Sequence, residues 1–572
     1  MMRDLQPDSL LFVPLGGAGE IGRNLNLYGH RGEWMMVDFG LSFADETLPG
    51  AEIVLPDPAF VEGLIERGER LSGLVLTHAH EDHLGAVSYL WRRLNCPITC
   101  TAFTAAVLRA KLRDAGLTGV PVRIVKPGEE FEVGPFRCHF IHVTHSIPEA
   151  NALAIRTPLG NVLHSGDWKL DPEPLIGAPT AEKALAAFGR EGVLALVSDS
   201  TNVFEHGTAG SEAAVRESLH DLVARQPGRV ALTTFASNIA RLETGMKVAL
   251  ATGRGVAVVG RSMRRMIDAA REAGYLKDMP DLVSEREVHM MPRERLLLLC
   301  TGSQGEPRST MARIAARAHP MVELEPGDTV IFSSKIIPGN ERTLYGLHNL
   351  LLQGGIEVIT EEDHFVHVSG HPCRDEMAQL YEWIRPRISV PVHGEVRHLH
   401  EHAALARKLG VEQTVQVVDG DVLRLAPGAP EVVDRVHAGR LVVENGSLLE
   451  AGDELFRARR RLMGNGVVVV GVVMDPYGSV LAPPQLSVIG ATDLESAPGL
   501  RAQAVEAVED AIEALEDSAA AEDERVREAV RAAVRRGLRL NRDRRPIIEV
   551  QVTRLTSESL AALEEQEAGA AE

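Results

Sequence analysis

The sequence lacks several features that define whole classes of protein. No apolar run approaches the roughly 20 residues that a membrane-spanning helix needs. The first residues have no apolar core and no small-residue cleavage site, so we expect no signal peptide. Five cysteines with no CxxC pair argue against a disulfide framework and are typical of a reducing compartment. We therefore expect a cytoplasmic protein that acts away from membranes.

Basic residues are also in deficit. The chain has 60 Lys and Arg residues against 80 Asp and Glu residues, which gives a formal net charge of −20. A surface of this charge binds nucleic acid poorly without specificity. Any nucleic-acid function must therefore depend on a local basic groove or on bound metal ions. The length of 572 residues predicts about three or four domains.

Apolar periodicity predicts an α/β chain. Short apolar runs between turn residues predict strands at 11–15, 34–37, 74–76 and 152–155, and one helix is predicted over 83–94. A second α/β region follows, with predicted helices at 215–224 and 239–251 and buried strands at 256–259, 296–299 and 330–332. Strand-rich sequence returns at 364–446.

The last part of the chain predicts a small separate α/β domain. A glycine- and arginine-rich stretch at 446–465 indicates a boundary. Beyond it, strands are predicted at 467–474, 486–490 and 547–552, with two helices before the last strand. We interpret the charged helix faces as solvated surface, with an RNA-contacting or dimerising module as the alternative.

One glycine motif is misleading. Gly17, Gly19 and Gly22 form a literal GxGxxG, and Asp38 lies 21 residues beyond Gly17. A dinucleotide-binding fingerprint needs a helix to begin at that loop, but 24–28 alternates like a strand. Without a helix there is no dipole to hold a pyrophosphate. We expect a tight turn beside an active site rather than a nicotinamide site.

The strongest chemical signal is a dense set of metal-binding side chains directly after the strand 74–76. His78, His80, Asp82 and His83 lie within six residues, which packing alone does not explain. Neutral imidazoles and carboxylates suit Zn²⁺ or Mn²⁺. Four ligands do not complete two sites, so further donors are expected at later strand ends. The candidates are His142, His145, His164, Asp167 and His393.

These residues carry a family resemblance. The HxHxDH pattern, a later His and an Asp after Ser-Gly resemble the metallo-β-lactamase fold. The segments 199–202, 367–371 and 391–395 resemble the three additional motifs of the β-CASP nucleases, and their order over this length is similar to the bacterial ribonuclease J family.

The resemblance implies an α/β fold: a metallo-β-lactamase αββα sandwich with an inserted β-CASP α/β domain and a small C-terminal α/β domain. The implied boundaries are 1–208 and 366–446 for the sandwich, 209–365 for the β-CASP domain, 447–465 for a linker and 466–572 for the C-terminal domain.

The same resemblance implies roles at the metal centre. Two divalent ions are expected, Zn²⁺ or Mn²⁺. The first is expected on His78, His80 and His145, the second on Asp82, His83 and His393, and Asp167 would bridge them. Asp38 would orient ligands; without the motif it would be an ordinary turn former at a strand end. Asp199 and His371 would transfer protons.

Further roles follow from the resemblance. The expected substrate-binding residues are Ala236, Ser237, Asn238, His367, Val368, Ser369, Gly370 and His371. An ordinary helix N-cap before Ile239 is the alternative for the first three. Apart from the resemblance, the loops 301–305 and 333–335 each follow a predicted strand and are weaker candidates for phosphate binding. A third, structural divalent ion is implied at Gly50, Glu52 and Glu444, for which ordinary surface charge is the alternative.

The function implied is hydrolysis of RNA phosphodiester bonds by a two-metal enzyme. The implied mode is 5′-to-3′ exonuclease action on single-stranded RNA with a 5′-monophosphate, with endonuclease cleavage as a second mode, in RNA maturation and decay. The implied partners are a second copy of the chain, joined through the C-terminal domain, and proteins of an RNA-degradation complex. The alternatives are a DNA-processing β-CASP nuclease and an RNA-binding degradosome scaffold with weak activity.

Overall fold

The computed structural model describes residues 8–337, 339–491, 498–520, 522–538, 545–556 and 558–559. The chain divides into two compact units. One lies within residues 1–441 and leaves out 44–52; the other consists of 44–52 and the residues from 442 onward.

The first 208 residues contain the first strands and helices of the larger unit. The strands are β1 (Leu10–Gly16), β2 (Ala18–Gly19), β3 (Leu25–His30), β4 (Glu33–Val37), β5 (Ser42–Phe43), β6 (Ile53–Pro56), β7 (Arg70–Val75), β8 (Ile98–Cys100), β9 (Val122–Ile124), β10 (Glu130–Val133), β11 (Phe136–His142), β12 (Asn151–Thr157), β13 (Gly160–His164) and β14 (Val193–Asp199). The helices are α1 (Ala59–Glu66), α2 (Glu81–Leu84), α3 (Val87–Leu94), α4 (Ala102–Asp114) and α5 (Glu182–Arg190).

The predicted insertion follows, and the chain then returns to the first layers. The insertion contains α6 (Glu212–Arg225), β15 (Val230–Thr233), α7 (Ile239–Ala251), β16 (Gly255–Val259), α8 (Arg261–Glu272), β17 (Leu282–Val283), β18 (Leu296–Cys300), α9 (Thr310–Ala315), β19 (Thr329–Phe332), α10 (Glu341–Gln353) and β20 (Glu357–Ile359). The returning part contains α11 (Arg374–Ile384), β21 (Ile388–Val392), β22 (Gly394–Glu395), α12 (Val396–Lys408), β23 (Gln413–Thr414), β24 (Asp421–Ala426) and β25 (Glu431–Arg435).

Two sheets pack face to face in the larger unit. Their strand orders are β25-β24-β1-β3-β4-β7-β8-β9 and β10-β11-β12-β13-β14-β21-β23. Phe12 and Met35 of the first sheet share one buried cluster with Phe140 and Val197 of the second. Helices α5, α11 and α12 pack on the outer face of the second sheet, and α1 lies against the first. The predicted αββα sandwich is confirmed.

The insertion forms its own parallel sheet, with strand order β17-β16-β18-β15-β19-β20. Its central strand β18 is buried along its whole length, as expected for a parallel sheet covered by helices on both faces. The predicted helices at 215–224 and 239–251 correspond to α6 and α7.

The single helix predicted over 83–94 is wrong, because the structure has two helices there, α2 and α3. The backbone of Phe39 interrupts the helix. Its N–H donates to the His83 carbonyl (2.6 Å), and its carbonyl accepts from Ala86 N–H (3.0 Å). A carbonyl and an N–H that a continuous helix would bond internally are therefore used by a neighbouring strand end.

A buried ion pair joins two helices of the insertion, α6 and α7. Arg241 and Glu212 have side chains 0% and 4% exposed, and two guanidinium nitrogens of Arg241 lie 3.0 and 3.1 Å from the Glu212 carboxylate. The remaining Arg241 nitrogen donates to the carbonyls of Ser333 (3.1 Å) and Val366 (2.8 Å). Arg241 therefore joins α6, α7 and the chain that leads to the predicted substrate loop.

We expect Arg241→Ala to lower the free energy of unfolding by about 3–5 kcal/mol, because it leaves the Glu212 charge buried without its partner. Urea unfolding followed by circular dichroism measures this loss. Arg271→Ala, which removes an exposed arginine from α8, is the matched control and should change stability by less than about 0.5 kcal/mol. Equal losses in the two variants would contradict the role given to the buried pair.

From residue 440 onward the elements are β26 (Arg440–Glu444), β27 (Ser447–Glu450), α13 (Glu454–Asn465), β28 (Val467–Met474), β29 (Val480–Ile489), α14 (Pro498–Glu513), α15 (Asp517–Ala520), α16 (Asp523–Gly537) and β30 (Ile547–Arg554). The segment predicted as a linker, 447–465, is thus a strand and a helix. The sheet β29-β28-β30 packs its buried side chains against α14 and α16. No helix in the part of the chain that the structure describes has the length and apolar character to cross a membrane.

Candidate metal centre

Strand ends bring the predicted metal ligands together. Asp38 and the run 77–83 follow β4 and β7, which are parallel neighbours in the first sheet. Asp167 follows β13, Asp199 ends β14 and His393 follows β21, which are parallel neighbours in the second sheet. Parallel strands end at one edge of a sheet, so donors from distant parts of the sequence meet there.

The predicted ligands form two groups that share one residue. The ligand atoms of His78, His80, His145 and Asp167 lie within 4.8 Å of one another, as do those of Asp82, His83, Asp167 and His393. A third group of the same kind contains Asp199, His371 and His393. Every residue predicted as a metal ligand or proton carrier therefore lies in one cluster.

The Asp167 carboxylate is at the middle of this cluster. Its Oδ2 atom lies near five imidazole nitrogens: 3.2 Å from His83 Nε2, 3.3 Å from His393 Nε2, 3.7 Å from His145 Nε2, 3.8 Å from His78 Nε2 and 3.9 Å from His371 Nδ1. The side chain is 3% exposed. One carboxylate oxygen is thus shared by both groups of donors.

Asp38 holds His83, one of the predicted ligands. Its Oδ2 lies 2.7 Å from His83 Nδ1, and its Oδ1 accepts from the Thr77 backbone N–H at 2.8 Å. A hydrogen bond at Nδ1 leaves Nε2 of His83 directed at Asp167. Asp38 (φ +64°) and His393 (φ +51°) both adopt the left-handed backbone region, which is unfavourable for residues other than glycine. Backbone hydrogen bonds stabilise these conformations. The Asp38 N–H donates to the Val75 carbonyl (2.9 Å), and the His393 N–H donates to the Gly17 carbonyl (2.6 Å).

The first group of imidazoles is neutral. Burial lowers the pKa of His80 to about 3 and the pKa values of His78 and His145 well below their ordinary range, and neighbouring imidazoles lower them further. His145 is also fixed in position, because its Nδ1 lies 2.5 Å from the Gly370 carbonyl and donates to it. Neutral imidazole with a free ring nitrogen is the form that binds a metal ion, and here the inward nitrogens are Nε2 of His78 and His145 and Nδ1 of His80.

The second group favours positive charge. Burial opposes protonation of His83, but Asp167, Asp82 and Asp38 outweigh it and raise its pKa well above the ordinary value. Asp167 raises the pKa of His393 in the same way, against burial. Burial opposes ionisation of Asp167, yet the surrounding imidazoles lower its pKa well below the usual range. Carboxylates thus concentrate negative potential where a cation would supply the compensating charge.

Asp199 and His371 form a second carboxylate–imidazole pair. Asp199 Oδ2 lies 2.8 Å from His371 Nδ1, and Asp199 Oδ1 accepts from the Thr201 hydroxyl at 2.7 Å. Burial alone would lower the pKa of His371, but Asp199 and then Asp167 raise it to about 9. The imidazole is therefore held at Nδ1 by a carboxylate.

The predicted substrate loop 367–371 lies against the first group of ligands. A Cβ on Gly370 would lie 2.8 Å from the His145 ring, so only glycine fits there. Ser369 Oγ accepts from the Asn202 amide at 2.7 Å, and Val368 is buried. Among the described residues no side chain or backbone group pairs with the buried Nδ1 of His367. Burial, and then Arg241, Lys169 and Lys335, lower its pKa well below the ordinary value, which indicates positive potential around it.

The second predicted substrate loop is a helix cap. Asn238 Oδ1 accepts from the Arg241 backbone N–H at 2.9 Å and caps α7. Ala236 and Ser237 precede it and are half-buried. The N-cap interpretation is correct for Asn238, and it is compatible with an anion site at the same helix end. Loops 301–305 and 333–335 contact each other, since the Gln304 amide donates to the Lys335 carbonyl at 2.9 Å.

The glycine motif lies at the edge of the cluster, where the Gly17 carbonyl accepts from the His393 backbone N–H, and it contains the short strand β2 between bends rather than the start of a helix. It also contributes a residue that sequence reasoning missed. Asn24 Nδ2 lies 3.0 Å from the Asp82 carbonyl and 3.1 Å from His83 Nε2. The signal that could have identified it is its place directly after the glycine turn.

His142 and His164, the other candidates, do not join the ligand groups. His142 Nε2 bonds the Ala178 carbonyl at 2.8 Å, and His164 Nδ1 bonds the Tyr28 hydroxyl at 3.0 Å. Both side chains therefore make contacts within the scaffold and lie outside the two groups of predicted ligands.

A guanidinium occupies the place predicted for the third ion. Arg459 binds the Glu444 carboxylate through two nitrogens (2.7 and 3.0 Å) and also donates to the Pro49 carbonyl at 3.2 Å. The same guanidinium lies 3.2 Å from where a Cβ on Gly50 would be. The groups of potential metal ligands found among the described residues do not include Glu52 or Glu444. Arg459 supplies the positive charge there.

Comparisons with known proteins match most of the chain to known families. Family models match along the chain: a β-lactamase superfamily domain at 35–188, the ribonuclease J β-CASP domain at 227–351, a Zn-dependent metallo-hydrolase RNA specificity domain at 355–417 and the ribonuclease J C-terminal domain at 455–555. The ribonuclease J of Sinorhizobium meliloti is 42% identical over 558 residues, which cover 96% of this chain and 98% of that protein. The chain belongs to the ribonuclease J family.

Other members of the family are also similar over most of their length. The ribonuclease J of Mycolicibacterium smegmatis is 37% identical and covers 95% of this chain and 97% of its own. That of Thermus thermophilus is 37% identical, with 83% and 84% covered. The family and the metallo-hydrolase domains make this ribonuclease J-family chain a metal-dependent hydrolase that acts on RNA.

Proposed function

We propose that this chain hydrolyses RNA with two divalent ions, Zn²⁺ or Mn²⁺, chiefly as a 5′-to-3′ exonuclease on 5′-monophosphate RNA, and secondarily as an endonuclease. The processes served would be RNA maturation and decay in the cytoplasm. The observation that carries the proposal is the single Asp167 oxygen that lies 3.2–3.9 Å from five imidazole nitrogens. A carboxylate so placed is suited to bridge two ions.

The donor set fits such ions. The first ion would be held by His78, His80 and His145, and the second by Asp82, His83 and His393, with Asp167 common to both. Neutral imidazoles on one side and carboxylate-rich surroundings on the other are appropriate to Zn²⁺ or Mn²⁺. When bound, two such ions activate water and neutralise charge on the reacting phosphate.

The chain's own residues handle the protons. Because His371 Nδ1 is bound to Asp199, its Nε2 is the atom that can give a proton to the leaving oxygen. Asp199 keeps the imidazole in this orientation and stabilises its protonated form. Asp38 and Asn24 hold His83 in the orientation that directs Nε2 to Asp167.

A single RNA strand would be held by the loops on either side of the cluster. The loops 236–238 and 367–371 offer backbone N–H groups, hydroxyls and an amide to phosphate oxygens. The buried Nδ1 of His367, which pairs with no group among the described residues, supports a phosphate there and thus a preference for a 5′-monophosphate end.

The test uses chelator-treated full-length protein with Zn²⁺ or Mn²⁺ restored, on one single-stranded 5′-monophosphate RNA labelled at either end. We expect no cleavage without metal. With metal, the 5′ label should leave at once as mononucleotide while the 3′-labelled strand shortens progressively. Discrete internal fragments with both labels would instead make the endonuclease mode dominant, and cleavage that persists without metal would refute the metal requirement.

The same assay separates the alternatives. An RNA enzyme should cleave the RNA strand far better than its all-deoxy equivalent, because only RNA has the 2′-OH that a site can recognise. Preference for the deoxy strand would support a DNA-processing nuclease. Tight RNA binding without cleavage under either metal would support a degradosome scaffold.

We also propose a homodimer formed through residues 466–572, with RNA-degradation proteins as further partners. Ile489 and Leu481 are 64% and 42% exposed on the edge strand β29, which supports an interface there. Val550 and Val552 of β30, by contrast, pack in or against the domain core. Light scattering of the full chain should give a dimer mass that Ile489→Asp reduces to a monomer at low concentration. A dimer unaffected by Ile489→Asp would contradict this interface.

A further inference from the structure

Phe204 is an exposed aromatic residue beside the catalytic cluster. All 14 phenylalanines lie in the described residues, and only Phe43, Phe204 and Phe365 among them have exposed side chains. Phe204 is 47% exposed. An exposed phenyl ring does not contribute the free energy that its burial would give to folding. Its exposure next to a reactive site therefore indicates a role in binding.

The loop that carries Phe204 is tied to the catalytic residues. Thr201 donates its hydroxyl to Asp199 (2.7 Å) and lies 3.2 Å from the His393 carbonyl. The Asn202 amide donates to the His371 carbonyl at 3.0 Å. Phe204 follows two residues later, and the Arg374 guanidinium fixes the intervening carbonyl of residue 203 at 3.0 Å. The ring is therefore held beside the cluster by a rigid loop.

A guanidinium lies on the same ring. Arg397 Cζ is 5.7 Å from the centroid of Phe204, and the His398 ring is 5.3 Å away with an edge-on orientation. Both belong to α12, which begins three residues after His393. The Arg397 side chain is 63% exposed, and among the described residues only its Nε has a protein acceptor, Glu395 at 2.9 Å. Its outer nitrogens thus face solvent.

We propose that Phe204 and Arg397 form a stacking platform for one nucleobase of the single-stranded RNA substrate, with Arg397 also contacting an adjacent phosphate. This inference rests on the proposed ribonuclease function. Aromatic rings and guanidinium planes stack on any base, and this binding tolerates all sequences. Stacking also needs no excess of basic residues, which suits an acidic chain that must still hold RNA.

The test compares wild type with Phe204→Ala on an RNA oligonucleotide and on a series in which each nucleotide in turn is abasic. Loss of one stacking contact should raise KM about tenfold and leave kcat within about twofold. At one position of the series, the abasic nucleotide should raise the KM of the wild type by the same factor. The same abasic nucleotide should not raise the KM of Phe204→Ala any further. Phe204→Trp should restore the wild-type KM. Arg397→Lys should raise KM by a smaller factor than Phe204→Ala, because lysine keeps the charge but has no planar group that can stack.

Phe43→Ala, which removes an exposed ring from β5, is the matched control and should leave KM unchanged. Two results would refute the platform and leave the RNA function intact. In the first, Phe204→Ala cleaves the intact RNA with the wild-type KM. In the second, the rise in KM caused by Phe204→Ala adds fully to the rise caused by every abasic position. If the wild type cleaves no RNA, both proposals are overturned. A fall in kcat together with a lower melting temperature would show that Phe204 only supports the fold, and would also refute the platform.

Discussion

Asp167→Ala is expected to abolish RNA cleavage, with a loss of at least about 1000-fold in kcat. Removing one preorganised electrostatic group from an active site commonly costs 100- to 1000-fold, and Asp167 contributes to both proposed ion sites. Its Oδ2 lies within 3.9 Å of five imidazole nitrogens. Bound divalent metal per chain should fall by at least half. Single-turnover cleavage and metal analysis of the same preparation measure both effects.

Two further variants make the result specific to the carboxylate. Asp167→Asn retains the shape but loses the charge and should be nearly as inactive, because the imidazoles of the second group then lack their counter-charge. Asp221→Ala removes a carboxylate that is 68% exposed on α6 and should cleave at the wild-type rate. RNA binding should remain measurable in all three, since the proposed phosphate contacts are elsewhere. Undiminished turnover in Asp167→Ala would refute the two-ion assignment.

His371→Ala is expected to lower kcat by about 100- to 10 000-fold, the range found for a single general acid or base. Asp199→Asn should cost a similar factor, because the 2.8 Å contact to Nδ1 is what keeps His371 oriented and protonated. The double variant should be no worse than the more damaging single one, since residues that act as one unit are not additive. Single-turnover rates for the four proteins complete the cycle.

A bound-metal count of these variants distinguishes proton transfer from metal binding. His371 and Asp199 lie in the third group of potential ligands, with His393. If they carry protons, as proposed, metal content should stay at the wild-type level in both single variants. Fully additive losses, or loss of an ion, would contradict a shared role in proton transfer.

Local spacing explains how much of this site could be predicted. His78, His80, Asp82 and His83 are close in sequence, and a loop that follows a strand brings their side chains to one place whatever the rest of the fold does. The periodicity of α7 and the apolar run of β18 likewise predicted their structure correctly, because apolar side chains on one face of a helix or along a parallel strand must be buried. The predicted ligands from distant segments, His145, Asp167 and His393, were assigned by the family resemblance, because no local spacing connects them to the 78–83 run.

Other features depend on neighbours that no local pattern contains. The helix predicted over 83–94 breaks because the backbone of Phe39 takes two of its hydrogen-bonding groups. The place predicted for a third ion holds Arg459, which comes 15 residues after Glu444. Asn24, 59 residues from His83, meets its ring only because β3 follows the glycine turn at the same sheet edge.

The sequence by itself determined the chemistry of this protein: which side chains can bind a cation, that the chain is α/β, and that its net charge requires local positive potential for RNA binding. The tertiary structure decided which of those side chains meet. Asp199 and His371 are 172 residues apart and 2.8 Å from each other. The physical reason is that side-chain type and short spacing act through a few covalent bonds, whereas contacts between strand ends depend on how two sheets pack and align.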